Sequence, residues 1–230
     1  MTIDTTKYFI NLHSESSKRE KTYFKLIDAA IELIYEKGFH LSSVKEICEI
    51  SGVANGTFYN HFLDKEDIYS QAALNISRPI ATYLNQKKAE APNAVEVVKT
   101  GHVEYINYLA LRPKWAVVIL QTQRGSYGTD VWNLNKRRVT TDVKRGIKEG
   151  VFNIKFDPFL IDQIMQLVLH SITQQVIYSP SKAITVKTST AIMLSLIHIS
   201  EPTRRRGMAV ARVWVEKKRG GGGGGGGGGG

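Results

Sequence analysis

Apolar residues recur at intervals of three and four positions along much of the chain. Between residues 22 and 37, the apolar positions on one helix face are Phe24, Ile27, Ile31 and Ile34. This spacing matches the helical period of 3.6 residues and predicts an amphipathic helix. Gly38 follows at the position where a left-handed residue ends many helices.

Two shorter helices are predicted next, separated by a tight turn. Ser43, or Ser42 before it, can cap the first of them, and Glu46 three residues after Ser43 completes a capping-box pattern. The buried face of this helix is predicted to consist of Val44, Ile47 and Cys48. Gly52 supplies the backbone freedom that the turn requires.

The second of these helices, predicted at residues 54–62, has a polar outer surface. Phe58 and Phe62 are separated by four positions and are expected to face inward. The outward positions carry amide, hydroxyl and imidazole groups but no carboxylate: Asn55, Thr57, Tyr59, Asn60 and His61. Such groups can read base edges and hold phosphates when a helix lies in the major groove. The pattern predicts a helix-turn-helix, with a plain helical hairpin as the alternative.

The remainder of the chain continues the helical pattern. A fourth helix is predicted from Asp64, and Pro79 is expected to bend or interrupt it. Further helical segments are predicted near residues 95–111, 114–123, 129–149, 158–176 and 182–193. Because no stretch of any length alternates with a period of two, the predicted fold class is all-α.

The helices group into two predicted domains. Residues 1–17 are expected to form a flexible arm, residues 18–65 a three-helix helix-turn-helix domain, and residues 66–193 a larger helical domain. Residues 194–230 begin with a segment that resembles a translated sequencing adapter and end in a run of glycines. We therefore expect that segment to be a disordered artefact that cuts the last helix short, with a basic nucleic-acid-binding arm as the alternative.

The charge distribution limits what electrostatics can contribute. The chain has 31 basic and 21 acidic residues and a formal net charge of +10, which favours polyanionic partners. Residues 18–65, however, contain seven basic and seven acidic residues, so this part of the chain has no net charge. Lys18, Arg19 and Lys21 cluster at the start of the first long helix, where they could reach phosphates or a minor groove or could simply form a solvated helix start. Specific DNA binding must therefore depend on the placement of individual side chains and on dimerisation.

Other function classes find little support in the sequence. There is one cysteine, Cys48, and no apolar run approaches the roughly 20 residues that span a bilayer. The N-terminus lacks the layout of a signal peptide, so a cytoplasmic location without a membrane partner is expected. No nucleophile–base spacing, metal-ligand pattern or phosphate loop is present, and we predict neither a cofactor nor enzymatic activity.

Residues 21–70 resemble the N-terminal domain of TetR/AcrR-type transcriptional regulators. The resemblance rests on Gly38-Phe39 and on the pattern GVxxGTxYxHFxxK from Gly52 to Lys65. It implies DNA contacts by residues on both helices of the motif and just after it. With the two basic residues of the first helix, the predicted contact residues are Lys18, Arg19, Ser43, Lys45, Asn55, Gly56, Thr57, Tyr59, Asn60, His61 and Lys65.

The resemblance also implies roles for the second domain. The last two long helices would pair with their copies in a homodimer, and the predicted interface residues are Ile161, Met165, Val168, Ile172 and Val176. The earlier helices would enclose an effector pocket, whose predicted wall is His102, Tyr105, Tyr108, Trp115, Ile119, Gln123, Trp132 and His170. His170 and Gln174 could equally pair across the dimer seam.

The predicted function is that of a homodimeric repressor. Its partners would be a palindromic double-stranded DNA operator and a small-molecule effector that shifts the fourth helix and lowers operator affinity. One alternative is an effector-independent DNA-binding or architectural protein, whose binding would be indifferent to sequence and steeply salt-dependent. The other alternative is an enzyme that uses the helical pocket.

Overall fold

A computed structural model describes residues 7–122, 140–150 and 158–178, with the side chains of all but residues 10, 122, 158–162 and 165. Every regular element in these ranges is an α-helix, which confirms the predicted fold class. The elements are α1 (Tyr8–Leu12), α2 (Lys18–Lys37), α3 (Val44–Ser51), α4 (Asn55–Phe58), α5 (Lys65–Ala89), α6 (Ala94–Ala110), α7 (Pro113–Thr122), α8 (140–148) and α9 (Pro158–Tyr178). The predictions for Gln123, Trp132 and residues 179–230 lie outside the described residues.

Side-chain caps set the first residue of several helices. Ser17 and Glu20 form a capping box at α2, in which the Glu20 N–H donates to Ser17 Oγ at 3.3 Å and the Ser17 N–H donates to Glu20 Oε2 at 3.1 Å. Asp64 accepts from the N–H of Asp67 at the start of α5. Asn93 caps α6 in the same way. These bonds satisfy N–H groups that the helices leave without partners at their first turns.

Helix α5 runs through Pro79 without interruption, contrary to one of the two predicted outcomes. A proline removes one backbone hydrogen bond from the ladder of a helix. Here the segments on both sides of it are anchored, because Ile76 and Ile80 are buried in the core at 0% and 4% exposure. Packing therefore keeps a single helix of 25 residues where the local rule allows a break.

Helix α1 replaces part of the expected flexible arm, so that prediction is wrong for residues 8–12. The Phe9 side chain is 3% exposed and stacks on Phe24 of α2 and Trp115 of α7, with ring centroids 6.2 and 5.6 Å apart. The Phe9 N–H donates to Asp28 Oδ1 at 3.2 Å. A helix of five residues has no measurable period, and its partners lie far away in sequence. It bridges α2 and α7.

One continuous core joins the two predicted domains. It contains Phe58 and Phe62 from the helix-turn-helix, Tyr69 from α5 and Trp115 from α7. The predicted boundary at residues 65–66 falls at the first residues of α5, which continues into the larger domain. A second cluster lies between α6 and α9. Helices α5 and α7 thus contact both parts of the chain, which provides a mechanical route between them.

Part of the predicted dimer face of α9 is covered within the same chain. Ile172 and Val176 are buried against Ile106 of α6, which leaves almost none of their surface for a second copy. Val168 packs against the same cluster. The side chains of Ile161 and Met165 lie outside the described residues. Apolar periodicity found a buried face of α9, but it could not say whether the cover is α6 or a second copy.

A different face of α9 is exposed. Its large apolar residues are Ile164 at 45%, Leu167 at 66% and Tyr178 at 63% exposure. Ser171, exposed, and Gln174, half-buried, complete a spacing of three and four positions on this face. Among the described helices, none has the length and apolar character needed to cross a bilayer.

Candidate nucleic-acid interface

The turn between α3 and α4 depends on Gly52. This residue has φ 66° and ψ 29°, a left-handed conformation that glycine adopts at little cost. The N–H groups of Gly52 and Val53 donate to Glu49 O and Cys48 O at 3.3 and 3.1 Å, which closes the C-terminus of α3. The chain then extends through Ala54 and enters α4. This geometry sets the angle between the two helices of the motif.

Replacing Gly52 with alanine is expected to lower the free energy of unfolding by about 1 kcal/mol, because an L-residue is strained at positive φ. No heavy atom lies within 4 Å of the added Cβ, so the cost comes from the backbone alone. Gly56→Ala is the matched control, since Gly56 is helical and equally open. It should stabilise by roughly 0.5–1 kcal/mol in the same urea titration. Equal effects at the two positions would contradict this account.

Helix α4 is shorter than predicted. Regular α-helix covers only Asn55–Phe58, and residues 59–61 form turns. The N–H groups of Asn60 and His61 donate to the carbonyls three residues earlier, at 3.2 and 2.9 Å, so the chain tightens toward a 3₁₀ geometry. Phe58 and Phe62 are 0% and 2% exposed and face inward as predicted.

The predicted contact residues of this segment are available on the surface. Asn55, Gly56, Tyr59 and Asn60 are exposed, and Tyr59 is 60% exposed. Thr57 and His61 are half-buried. Two buried phenylalanines therefore anchor a short stretch whose polar side chains face solvent. Their contact with DNA remains a prediction.

His61 lies beside the basic start of α2. Burial, and secondarily the charge of Arg19, lower the pKa of its imidazole below the ordinary value. His61 is consequently neutral at neutral pH, where it can donate or accept a hydrogen bond but adds no positive charge. Lys18 and Arg19 are both exposed. The fold thus brings Arg19 close to the end of residues 54–62, which we call the recognition segment, although 42 positions separate Arg19 from His61.

The predicted contacts on α3 are partly engaged within the protein. Ser43 caps α3: its Oγ accepts from the Glu46 N–H at 3.3 Å and donates to Glu46 Oε2 at 2.9 Å. Lys37, on α2, pairs with Glu46 at 2.5 Å, and the hydrogen bonds from Lys37 and Ser43 lower the pKa of that carboxyl. Lys45 is exposed and lies 3.9 Å from Glu49. An exposed pair of this kind is weak, so Lys45 can exchange it for a phosphate.

Lys65 has an internal role that the sequence did not indicate. Its Nζ donates to the carbonyl oxygens of Phe39 and Ser42, each at 3.2 Å, and lies 4.4 Å from the centroid of the Phe39 ring. An ammonium group has three donors, so one more remains for a phosphate. The predicted phosphate contact therefore stays a prediction, alongside a structural role in holding the segment between α2 and α3.

The predicted effector-pocket residues are mostly buried. Trp115, Ile119 and Tyr108 belong to the main core, and Tyr105 packs against it. His170 is half-buried. His102 is 5% exposed, and burial lowers its pKa. That these residues line a pocket stays a prediction.

Two of them, His102 and Trp115, have a buried ring nitrogen without a hydrogen-bond partner within the described ranges. The Nδ1 of His102 lies 2.7 Å from Val98 O and donates to it, because that carbonyl can only accept. Nε2 is then an acceptor, and within the described ranges it has no hydrogen-bond partner. A buried polar atom of this kind marks a place where a ligand or water can bind.

Comparison with known proteins was consistent with this geometry. The family described as "Bacterial regulatory proteins, tetR family" matches residues 26–72. The "Fatty acid metabolism regulator protein" of Bacillus subtilis is 53% identical over 51 residues, which are 22% of this chain and 26% of that protein. The "Uncharacterized HTH-type transcriptional regulator YwcC" of the same organism is 27% identical over 116 residues, or 48% of this chain and 52% of its own. The chain thus matches a quarter to a half of the length of these relatives.

A solved structure extends the similarity over most of the fold. The transcriptional regulator FadR from Bacillus subtilis, in complex with stearoyl-CoA, superposes with a TM-score of 0.67 and 24% identity. The superposition covers 76% of this chain and 97% of that one. At this identity the superposition establishes the fold alone. In its helix-turn-helix region the chain is therefore similar to regulators of the tetR family, and over most of its length it shares the all-helical fold of this FadR structure.

Proposed function

We propose that the chain is a homodimeric transcriptional repressor that binds a palindromic operator and leaves it when an effector binds. The observation that supports DNA binding most directly is the recognition segment, in which buried Phe58 and Phe62 hold exposed Asn55 and Tyr59. Amide and hydroxyl groups suit base edges and phosphates. Named relatives of the chain are regulators, which favours this reading over an enzyme.

The test of DNA binding is selection of bound sequences from a pool of randomised duplexes, followed by footprinting of the selected site. We expect an inverted repeat whose half-sites lie about one helical turn apart, because a twofold dimer presents two recognition segments. Sequence-indifferent binding with a steep salt slope would instead identify the architectural alternative. If no inverted repeat is selected at moderate salt, the repressor proposal is wrong.

The second copy in this proposal covers the exposed face of α9. Ile164, Leu167 and Tyr178 are the apolar positions of a face whose spacing of three and four is typical of paired helices, and Ser171 and Gln174 are its polar positions. The resemblance to dimeric regulators and the need for two half-sites favour a second copy as the occupant. This face replaces the predicted one around Ile172, which α6 already covers.

Replacing Leu167 with glutamate is expected to weaken the dimer at least about tenfold, because pairing would bury an uncompensated charge. Sedimentation equilibrium of the full chain measures the change. Leu41→Glu is the matched control, since Leu41 is 77% exposed in the segment between α2 and α3, and it should leave the dimer intact. A Leu167→Glu chain that dimerises as tightly as the unsubstituted one would exclude α9 as the interface.

A long-chain acyl-CoA is the effector class we propose to test first. One relative is named for fatty acid metabolism, and the solved FadR structure contains stearoyl-CoA. Adding stearoyl-CoA to the complex with the selected operator should release the DNA, which fluorescence anisotropy records. CoA alone and stearate alone serve as controls for the two halves of the ligand. Unchanged operator affinity with stearoyl-CoA would reject this class and leave DNA binding untouched.

A further inference from the structure

The segment between α2 and α3, residues 38–43, determines where the helix-turn-helix begins. We call it the α2–α3 loop. It starts at Gly38, which has φ 78°, and ends at Ser43, which caps α3. A change in the path of this loop moves the start of α3 and, with it, the recognition segment. Contacts to the loop therefore influence how the chain is presented to DNA.

Helix α5 holds the carbonyl side of this loop. Lys65 donates to Phe39 O and Ser42 O, and Ser42 Oγ donates to Phe39 O at 2.7 Å. The Tyr69 hydroxyl donates to Ser42 Oγ at 2.7 Å. Burial raises the pKa of Tyr69 to about 12, so the hydroxyl keeps its proton and remains a donor at neutral pH. The oxygen side of the Phe39 peptide is thus anchored to a helix shared by both parts of the chain.

Helix α7 holds the opposite side of the same residue. The N–H of Phe39 donates to Gln121 Oε1 at 2.8 Å, across 82 positions of sequence. The Gln121 amide also lies against Gly38, where an added Cβ would be 3.5 Å from both Oε1 and Nε2. Two helices therefore hold the loop: α5 bonds to its carbonyl oxygens, and α7 accepts the Phe39 N–H through Gln121.

Helix α7 belongs to the core of the larger domain at the same time. Trp115 and Ile119 are 0% and 1% exposed, and α7 packs against α5 and α9 as well as α2. Lys114 forms a second link to α2 by pairing with Glu32 at 2.6 Å. Because close-packed helices shift as units, a displacement of α7 is transmitted to Gln121 and then to the Phe39 amide.

We infer that Gln121 is a positioning residue for operator binding, whose bond to the Phe39 N–H keeps the α2–α3 loop in the DNA-binding arrangement. An effector that displaces α7 acts by withdrawing this acceptor. The inference rests on the proposed function, because it concerns the same operator. It adds the residue through which the larger domain controls the helix-turn-helix.

The test compares Gln121→Met with Gln121→Glu in the full chain. Methionine keeps the length of the side chain but removes the acceptor, whereas glutamate retains an oxygen for the Phe39 N–H. Gln121→Met should weaken binding to the selected operator by roughly tenfold without effector, and Gln121→Glu should stay within roughly threefold. Gln86→Met, at an exposed glutamine of α5, is the matched control and should bind as the unsubstituted chain does.

Hydrogen exchange at the Phe39 amide separates positioning from mere stability. Exchange should be slow in the unsubstituted chain and in Gln121→Glu, and at least about tenfold faster in Gln121→Met, because the amide has lost its partner. This readout also works on the unsubstituted chain alone: stearoyl-CoA, if it releases the operator, should speed exchange at Phe39.

Each outcome separates the inference from the proposed function. Operator affinity and Phe39 exchange that are unchanged in Gln121→Met would overturn the inference while the function stands. Glutamate as weak as methionine would also overturn it, because the acceptor would then be irrelevant. If the unsubstituted chain selects no operator, the proposed function has failed first.

Discussion

Replacing both Asn55 and Tyr59 with alanine is expected to lower affinity for the selected operator by about 10³-fold. Each lost contact to a base or phosphate costs on the order of 1 kcal/mol, and a dimer loses every contact twice. Both side chains are exposed, so the free energy of unfolding should change little. Fluorescence anisotropy at fixed salt measures the affinity, and circular dichroism melting checks the fold.

The matched control removes the same two residue types from elsewhere. Asn85 and Tyr35 are exposed on α5 and α2, and Tyr35 is 41% exposed. The double alanine variant at these positions should keep operator affinity within about twofold, since surface substitutions away from an interface have small effects. Comparable losses in the two double variants would show that the recognition segment has no special role in DNA binding.

Replacing Trp115 with alanine is expected to lower the free energy of unfolding by about 3–5 kcal/mol, the usual cost of deleting a large buried aromatic side chain. Trp115 is fully buried. Its ring centroid lies 4.8, 5.6 and 6.2 Å from the ring centroids of Tyr8, Phe9 and Tyr108. The substitution leaves a cavity where α1, α6 and α7 meet. Urea denaturation followed by circular dichroism gives the change.

Leu63→Ala provides the comparison for Trp115. Leu63 is 84% exposed, so its truncation should change the unfolding free energy by no more than about 0.5 kcal/mol. A loss below about 1 kcal/mol for Trp115→Ala would mean that α1 and α7 are not held together by this ring. The docking of α1 would then contribute little to the fold.

The helix-turn-helix was predictable because its signals are local. Ser43 with Glu46, the glycine at position 52, and Phe58 with Phe62 are each separated by four positions or fewer from the groups they act on. The cap, the left-handed turn and the inward phenylalanines follow from these spacings. The short length of α4 did not follow, because bonding at the end of a helix can change from four to three residues without a sequence signal.

Contacts between distant segments were not predictable. The stacking of Phe9 on Trp115 spans 106 positions, and the bond from Phe39 to Gln121 spans 82. A glutamine near the end of a helix resembles any surface glutamine until the fold brings a backbone N–H to it. The same reasoning applies to Lys65, whose charge suggested a phosphate but whose position places it on two carbonyl oxygens.

The sequence by itself determined the all-helical class, the helix-turn-helix and the polar residues of its recognition segment. Periodicity, caps and turn residues express local preferences that each segment carries wherever it lies. Tertiary structure alone decided that α1 docks, that α9 buries Ile172 in its own chain and leaves Leu167 exposed, and that Gln121 reaches the α2–α3 loop. These outcomes depend on which helix covers which face, and that choice is made by packing of the whole chain.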